Sequence, residues 1–122
     1  MAHAVPRRRV LFIEDEPALR SSYERAFGSR YESAYAASGA EAIRLLAEHR
    51  PDVAVLDLRL PDTDGIDLLR RLRAARPGLP VIITSAYISL EPQLRVLDLP
   101  HEGYLVKPFD LADLARRIDG LP

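Results

Sequence analysis

The chain has 122 residues, the size of one domain, and a chain of this length buries roughly two-thirds of its unfolded surface, so it needs no disulfide or metal staple. Apolar residues make up 48% and charged ones 29%, and 17 basic against 18 acidic side chains leave a net charge of −1, which makes a global electrostatic case for nucleic-acid binding weak. The absence of cysteine rules out disulfides and thiolate metal sites.

No apolar run approaches the ~20 residues of a membrane span, and Met1-Ala2-His3-Ala4-Val5-Pro6 lacks the apolar core of a signal peptide. The expectation is a cytoplasmic protein with no membrane contact and no direct nucleic-acid binding. Residues 1–122 read as a single domain with its core over about 9–119.

Arg7-Arg8-Arg9 precedes the first apolar run and reads as a solvated lead-in rather than an anion-binding arm. Val10 to Ile13 then form a buried strand that stops at Glu14-Asp15. Pro17 stands where a first helical turn tolerates it, Leu19, Tyr23, Ala26 and Phe27 follow at helical spacing, and Gly28 ends the helix. Residues 31–36 alternate in polarity, which predicts an edge strand.

Ser38 and Glu41 have the form of a capping box and open a helix carrying Ala42, Leu45 and Leu46. Val53 to Leu56 run into Asp57. Asp64-Gly65 begins a helix with Ile66, Leu69 and Leu72 that stops before Pro77-Gly78. Val81 to Ile83 run into Thr84-Ser85. Leu90, Leu94 and Leu97, bracketed by Pro92 and Pro100, predict only a short helix over residues 91–99, roughly 12 Å long at 1.5 Å per residue. Tyr104 to Val106 run into Lys107-Pro108, and Asp110 is placed to cap a last helix with Leu111, Leu114 and Ile118 on one face. Five βα units imply an α/β fold with a parallel five-stranded sheet, doubly wound with helices on both faces.

In such a sheet the strand ends share one rim. Carboxylates at Glu14, Asp15 and Asp57 on that rim repel, by roughly 4 kcal/mol per pair at about 4 Å and an effective dielectric near 20, unless a cation joins them. Mg²⁺ fits, since it prefers hard oxygens and one or two direct carboxylates. A carboxylate is also a competent nucleophile toward a phosphoryl group. That chemistry wants a hydroxyl and an ammonium nearby, and Ser85 and Lys107, the only lysine of the chain, end neighbouring strands.

Glu14-Asp15-Glu16-Pro17, the stretch Asp57-Leu58-Arg59-Leu60-Pro61-Asp62-Thr63-Asp64-Gly65, Ser85-Ala86 and Tyr104-Leu105-Val106-Lys107-Pro108-Phe109 resemble, in order, the motifs of response-regulator receiver domains. The resemblance implies a flavodoxin-like three-layer (βα)5 fold with strand order 2-1-3-4-5. It implies a two-component phosphorelay in which Asp57 accepts a phosphoryl group from a histidine kinase, a phosphotransfer protein or a small phosphodonor. Asp15, Asp57 and the Arg59 backbone carbonyl would hold Mg²⁺, with Glu14 acting mainly through water. Ser85 and Lys107 would contact phosphoryl oxygens, and Tyr104 would act with Ser85 as the switch. Arg59 and Tyr87 occupy the positions expected to tune phosphoryl lifetime.

The face of the fourth helix, fifth strand and last helix would report to a downstream protein or output domain, or to a second copy in a homodimer. Arg116, Arg117 and Asp113 offer salt bridges there. The chain departs from the family at Glu14, where paired aspartates are usual, and at Pro100-His101-Glu102-Gly103. A pseudo-receiver that binds partners without phosphate is the alternative. An aspartate-nucleophile phosphatase needs a second acid two residues after Asp57, where Arg59 stands. The expectation is therefore no turnover enzyme, only self-phosphorylation and self-dephosphorylation.

Overall fold

Apolar side chains on both faces force the central strands inside, and three of them are buried along nearly their whole length: β1 (Arg9–Ile13), β3 (Val53–Asp57) and β4 (Val81–Ser85). The computed structural model describes residues 7–87, 93–94 and 101–122. With β2 (Glu32–Ala36) and β5 (Gly103–Val106), these strands form one parallel sheet in the order β2-β1-β3-β4-β5. This is the flavodoxin-like order that the resemblance implies. β2 is half-exposed over most of its length and sits at an edge, as its alternation predicts.

The described helices are α1 (Pro17–Phe27), α2 (Gly39–His49), α3 (Gly65–Ala75) and α4 (Leu111–Asp119). Successive strand residues point to opposite faces, so two cores form. Leu11, Ile13, Leu56 and Ile83 pack with Ala42 and Leu46 of α2 and Leu68, Leu69 and Leu72 of α3. Phe12, Val55 and Ile82 pack with Tyr23 and Phe27 of α1 and Leu114 and Ile118 of α4. Each fully buried Leu, Ile or Phe contributes about 1.5–3 kcal/mol against exposure. Among the described residues no helix is long and apolar enough to cross a membrane.

The helix starts follow the sequence with two adjustments. Ser38 Oγ accepts the Glu41 N–H at 3.2 Å, but Glu41 Oε2 reaches back to the Ala37 N–H at 3.4 Å, one residue before the cap. Asp64 Oδ1 accepts the Ile66 N–H at 2.8 Å. Asp110 holds the cap position of α4 without a side-chain hydrogen bond. The carboxylate stays in solvent, while the Asp110 carbonyl accepts the Asp113 and Leu114 N–H groups.

The arginine triplet is not simply solvated. Arg7 donates to the Ser29 carbonyl at 3.2 Å, Arg8 to that of Leu121, and Arg9 to that of His49 at 2.8 Å while pairing with Glu32. These side chains lie along the rim opposite the strand ends, where exposed carbonyls and Glu32 offer acceptors. The expected helix over residues 91–99 lies outside the described residues except at Gln93 and Leu94, which are helical, with Leu94 buried.

β1 has β2 on one side and β3 on the other, so the direction of winding reverses between β1 and β3. A crevice opens at the carboxyl ends of strands at such a switch point. Glu14-Asp15 and Asp57 flank it.

Candidate functional site

The strand ladder carries the site residues past the formal strand ends. The Glu14 N–H donates to the Ala36 carbonyl at 2.9 Å, the Leu58 N–H to Thr84 at 3.2 Å, and the Lys107 N–H to Ser85 at 2.7 Å. Main-chain bonds therefore fix where each functional side chain starts. Gly65 closes the other wall: its N–H donates to the Leu58 carbonyl at 3.2 Å, and a Cβ there would lie 2.3 Å from Leu58 Cα. Only glycine permits that approach of α3 to the loop after Asp57.

Asp57 is buried, 2% exposed. Its Oδ1 accepts the Arg59 N–H at 3.0 Å and its Oδ2 accepts from Lys107 Nζ at 3.0 Å. Lys107 Nζ also lies 2.8 Å from Glu14 Oε1. That contact is an ion pair outside hydrogen-bond geometry, and Glu14 Oε1 is left without a hydrogen bond. Glu14 Oε2 accepts the Glu16 N–H at 3.1 Å.

Burial pushes the Glu14 carboxyl up from its ordinary value, Asp57 beside it pushes the same way, and Lys107 only partly opposes them. For Lys107 burial works toward a lower value, but its pairing with Glu14 and Asp57 outweighs this and holds the ammonium above the ordinary range. Lys107 is thus a fixed positive charge between two buried carboxylates.

Asp15 is exposed at the mouth. Ligand oxygens of Glu14, Asp15 and Asp57 lie within 4.8 Å of one another. Three carboxylates against one ammonium leave two formal negative charges in a partly buried space, which a divalent cation balances. With Lys107 Nζ already 2.8 Å from Glu14 Oε1, the upward push that remains on that carboxyl marks a deficit of positive charge. The donor set is hard oxygen throughout, so the residues present fit Mg²⁺.

A cleft of about 450 Å³ opens over this group, lined by Asp15, Glu16, Pro17, Asp57, Leu58, Arg59, Ser85, Ala86, Tyr87 and Lys107. Of the residues singled out from sequence, Asp15, Asp57, Arg59, Ser85, Tyr87 and Lys107 meet there. Glu14 lies buried beneath it and Tyr104 beside it. Ser85 lines the cleft and accepts the Tyr87 N–H on Oγ at 3.0 Å, whereas Thr84 is buried with no partner for its hydroxyl. Tyr104 is half-buried, and its phenol donates to the Tyr87 carbonyl.

Sequence reasoning did not find two contacts here. The Arg59 guanidinium stacks over the Tyr87 ring, 5.5 Å from its centroid, across the cleft mouth. Asp62 accepts the Gly39 and Ala40 N–H groups at 2.7 and 3.1 Å, tying the loop after Asp57 to the start of α2. A loop carboxylate opposite a glycine-led helix was the available signal for the second; nothing in the sequence pairs Arg59 with Tyr87.

Comparison with known proteins gives concordant matches. The family model of the response regulator receiver domain matches residues 10–119. The chain is 40% identical over 114 residues to the transcriptional regulatory protein PrrA of Mycobacterium tuberculosis, covering 93% of this chain and 49% of that protein. It is 36% identical over 114 residues to the response regulator MprA of Mycobacterium leprae, covering 93% of this chain and 50% of that protein. The chain thus spans about half the length of the curated relatives it matches.

Among solved structures it resembles the CheY-like response regulator receiver domain protein of Methanospirillum hungatei, with a TM-score of 0.84, 29% identity and coverage of 93% and 91% of the two chains. It is also similar to the receiver domain of the Francisella response regulator 1452, with a TM-score of 0.82, 33% identity and coverage of 92% and 93%.

Proposed function

The chain belongs to the response regulator receiver domain family, and on that premise we propose that Asp57 is the phosphoacceptor of a two-component phosphorelay. The observation that carries this reading is the buried Asp57 carboxylate, held between the Arg59 N–H and Lys107 Nζ at the floor of an open cleft. An Asp57 oxygen attacks the phosphorus of a phosphohistidine on a histidine kinase or phosphotransfer protein, or of a small phosphodonor. The new O–P bond forms as the donor's bond to phosphorus breaks, and the donor leaves with that electron pair.

Asp15, Asp57 and the Arg59 backbone carbonyl would hold Mg²⁺, with Glu14 acting through water, and the ion would supply neutralising charge to the phosphoryl group. Lys107 keeps a second positive charge within reach of a phosphoryl oxygen. Ser85 donates its hydroxyl hydrogen to another. Moving toward the phosphoryl group, Ser85 gives up the Tyr87 N–H, and the Tyr87 carbonyl that Tyr104 holds moves with it. The bistable element is the β4 exit with Tyr104, and added charge at Asp57 biases it.

The reporting face addresses a downstream protein, an output domain or a second copy of the chain; on α4 the exposed Arg116–Asp113 pair lies within the helix. The activity is self-phosphorylation and self-dephosphorylation in the cytoplasm rather than turnover of a substrate. Stacked on Arg59, Tyr87 crowds the line of attack of water and lengthens the life of the phosphorylated state. Tyr87→Glu then shortens that half-life, and an unchanged half-life rejects the crowding.

The test of the main reading is phosphorylation by acetyl phosphate with Mg²⁺, followed by intact mass. One added phosphoryl group, absent in Asp57→Asn, is expected. No transfer under saturating donor favours the pseudo-receiver.

A further inference from the structure

The sheet face under α1 and α4 holds polar groups that the phosphoryl chemistry leaves unused. Phe12, Val55, Ile82 and Leu105 lie on this face, and two residues further along each strand the same alternation brings Glu14, Asp57, Thr84 and Lys107 to it. Buried side-chain oxygens on this face without a hydrogen-bond partner include Thr84 Oγ1, the Tyr23 phenol and Glu14 Oε1, the last in an ion pair with Lys107 Nζ at 2.8 Å. Glu14, Tyr23 and Thr84 are each only 1% exposed. Burying a hydroxyl without a partner is unfavourable, and the Tyr23 and Thr84 hydroxyls lie in the same sheet layer as the Glu14 carboxylate, inside an otherwise apolar core.

Tyr23 is the largest of the three groups. Its ring stacks on Phe12 with centroids 4.7 Å apart. A long helical side chain leans toward the N-terminus of its helix, and α1 begins at Pro17, directly after Glu14-Asp15-Glu16. The phenol is therefore aimed along the sheet toward the acidic rim. Burial, and after it the charges of Glu14, Asp57 and Glu16, push its phenol above the ordinary tyrosine range and keep it protonated. Tyr35 belongs to the same aromatic stack, 5.5 Å from Phe12, and its phenol is also without a partner. The charge bearing on Tyr35 is Glu24, not the acidic site.

We propose that Tyr23 is a positioning residue for the acidic site, its phenol donating through a buried water to Glu14 Oε1, with Thr84 Oγ1 as a further partner of that water. A buried water typically makes about three hydrogen bonds, which these three oxygens supply. The bond fixes the edge of the Glu14 carboxylate that faces Lys107 and the cation. The inference rests on the reading of Glu14 as part of the Mg²⁺ site.

Tyr23→Phe keeps the ring stack and deletes only the O–H. Mg²⁺ binding to the full chain, measured by titration calorimetry, is compared among wild type, Tyr23→Phe and Tyr35→Phe. The expected result is a Kd weakened by about tenfold in Tyr23→Phe, at the low end of the outer-shell range, and unchanged in Tyr35→Phe. Equal affinity in wild type and Tyr23→Phe overturns the inference, and so does an equal loss in Tyr35→Phe. If wild type binds no Mg²⁺, the phosphoacceptor reading fails, and the urea midpoint decides the hydrogen bond separately. A lower midpoint in Tyr23→Phe supports the bond; an unchanged or higher one overturns it.

Discussion

Lys107 pairs with both Glu14 and Asp57, and on the proposed reading it must also meet the phosphoryl group once that group arrives. Its removal separates the two roles. Lys107→Ala makes the acidic site more negative, so Mg²⁺ binding is retained or tightened, while phosphorylation by acetyl phosphate falls at least tenfold. Parallel loss of both contradicts the assignment. Gly65 makes a different demand, since a methyl group there collides with the Leu58 backbone. Gly65→Ala is expected to destabilise the fold by about 1–3 kcal/mol, the cost of overpacking, measured by urea denaturation. At this scale the residues that gather at the cleft were legible, because Asp57, Ser85 and Lys107 each interrupt an apolar run. Their pairing was not. The Glu14–Lys107 ion pair and the Arg59–Tyr87 stack join residues far apart in the chain, and strand register and side-chain rotamer decide such contacts.

The helix starts show how far local sequence reaches. Ser38 makes its cap hydrogen bond and Asp110 does not, so Ser38→Ala should cost about 1 kcal/mol. Asp110→Ala should cost less than about 0.5 kcal/mol, the residual helix-dipole contribution of an exposed charge. Equal losses would contradict the distinction.

Asp62 stabilises the start of α2 from another loop, and the Gly39 N–H, followed by that of Ala40, holds its carboxyl below the ordinary range. A carboxyl whose folded value is depressed contributes stability that is fully present above its unfolded value, about 3.9, and is lost as pH falls through the folded value. The urea midpoint of Asp62→Asn should therefore lie below that of wild type at pH 6, and the gap should close as pH falls below about 4. A constant gap would assign the effect to something other than ionisation. The capping motifs were readable because each is a contact within four residues. Asp62 was missed as a cap because it sits in a different loop, and the arginine triplet was misread because its acceptors are carbonyls that only the folded rim presents.

At the scale of the molecule, parallel strands buried on both faces leave polar groups only at their ends. The reversal of winding between β1 and β3 gathers those ends around one crevice. The continuous apolar runs announced buried strands, and their alternation with helical patterns announced a doubly wound sheet. Strand order came from the resemblance rather than from periodicity, which does not encode order. The segment over residues 91–99, read as a short proline-bracketed helix, lies outside the described residues except at Gln93 and Leu94.

The central claim is that the Glu14, Asp15, Asp57 and Lys107 group forms a cation-dependent phosphoryl site. Fluorine NMR of beryllofluoride binding tests it most directly. A bound signal should appear in wild type with Mg²⁺, vanish on chelation, and be absent in Asp57→Asn. No bound signal at saturating beryllofluoride and Mg²⁺, or one that persists in Asp57→Asn, would contradict the account.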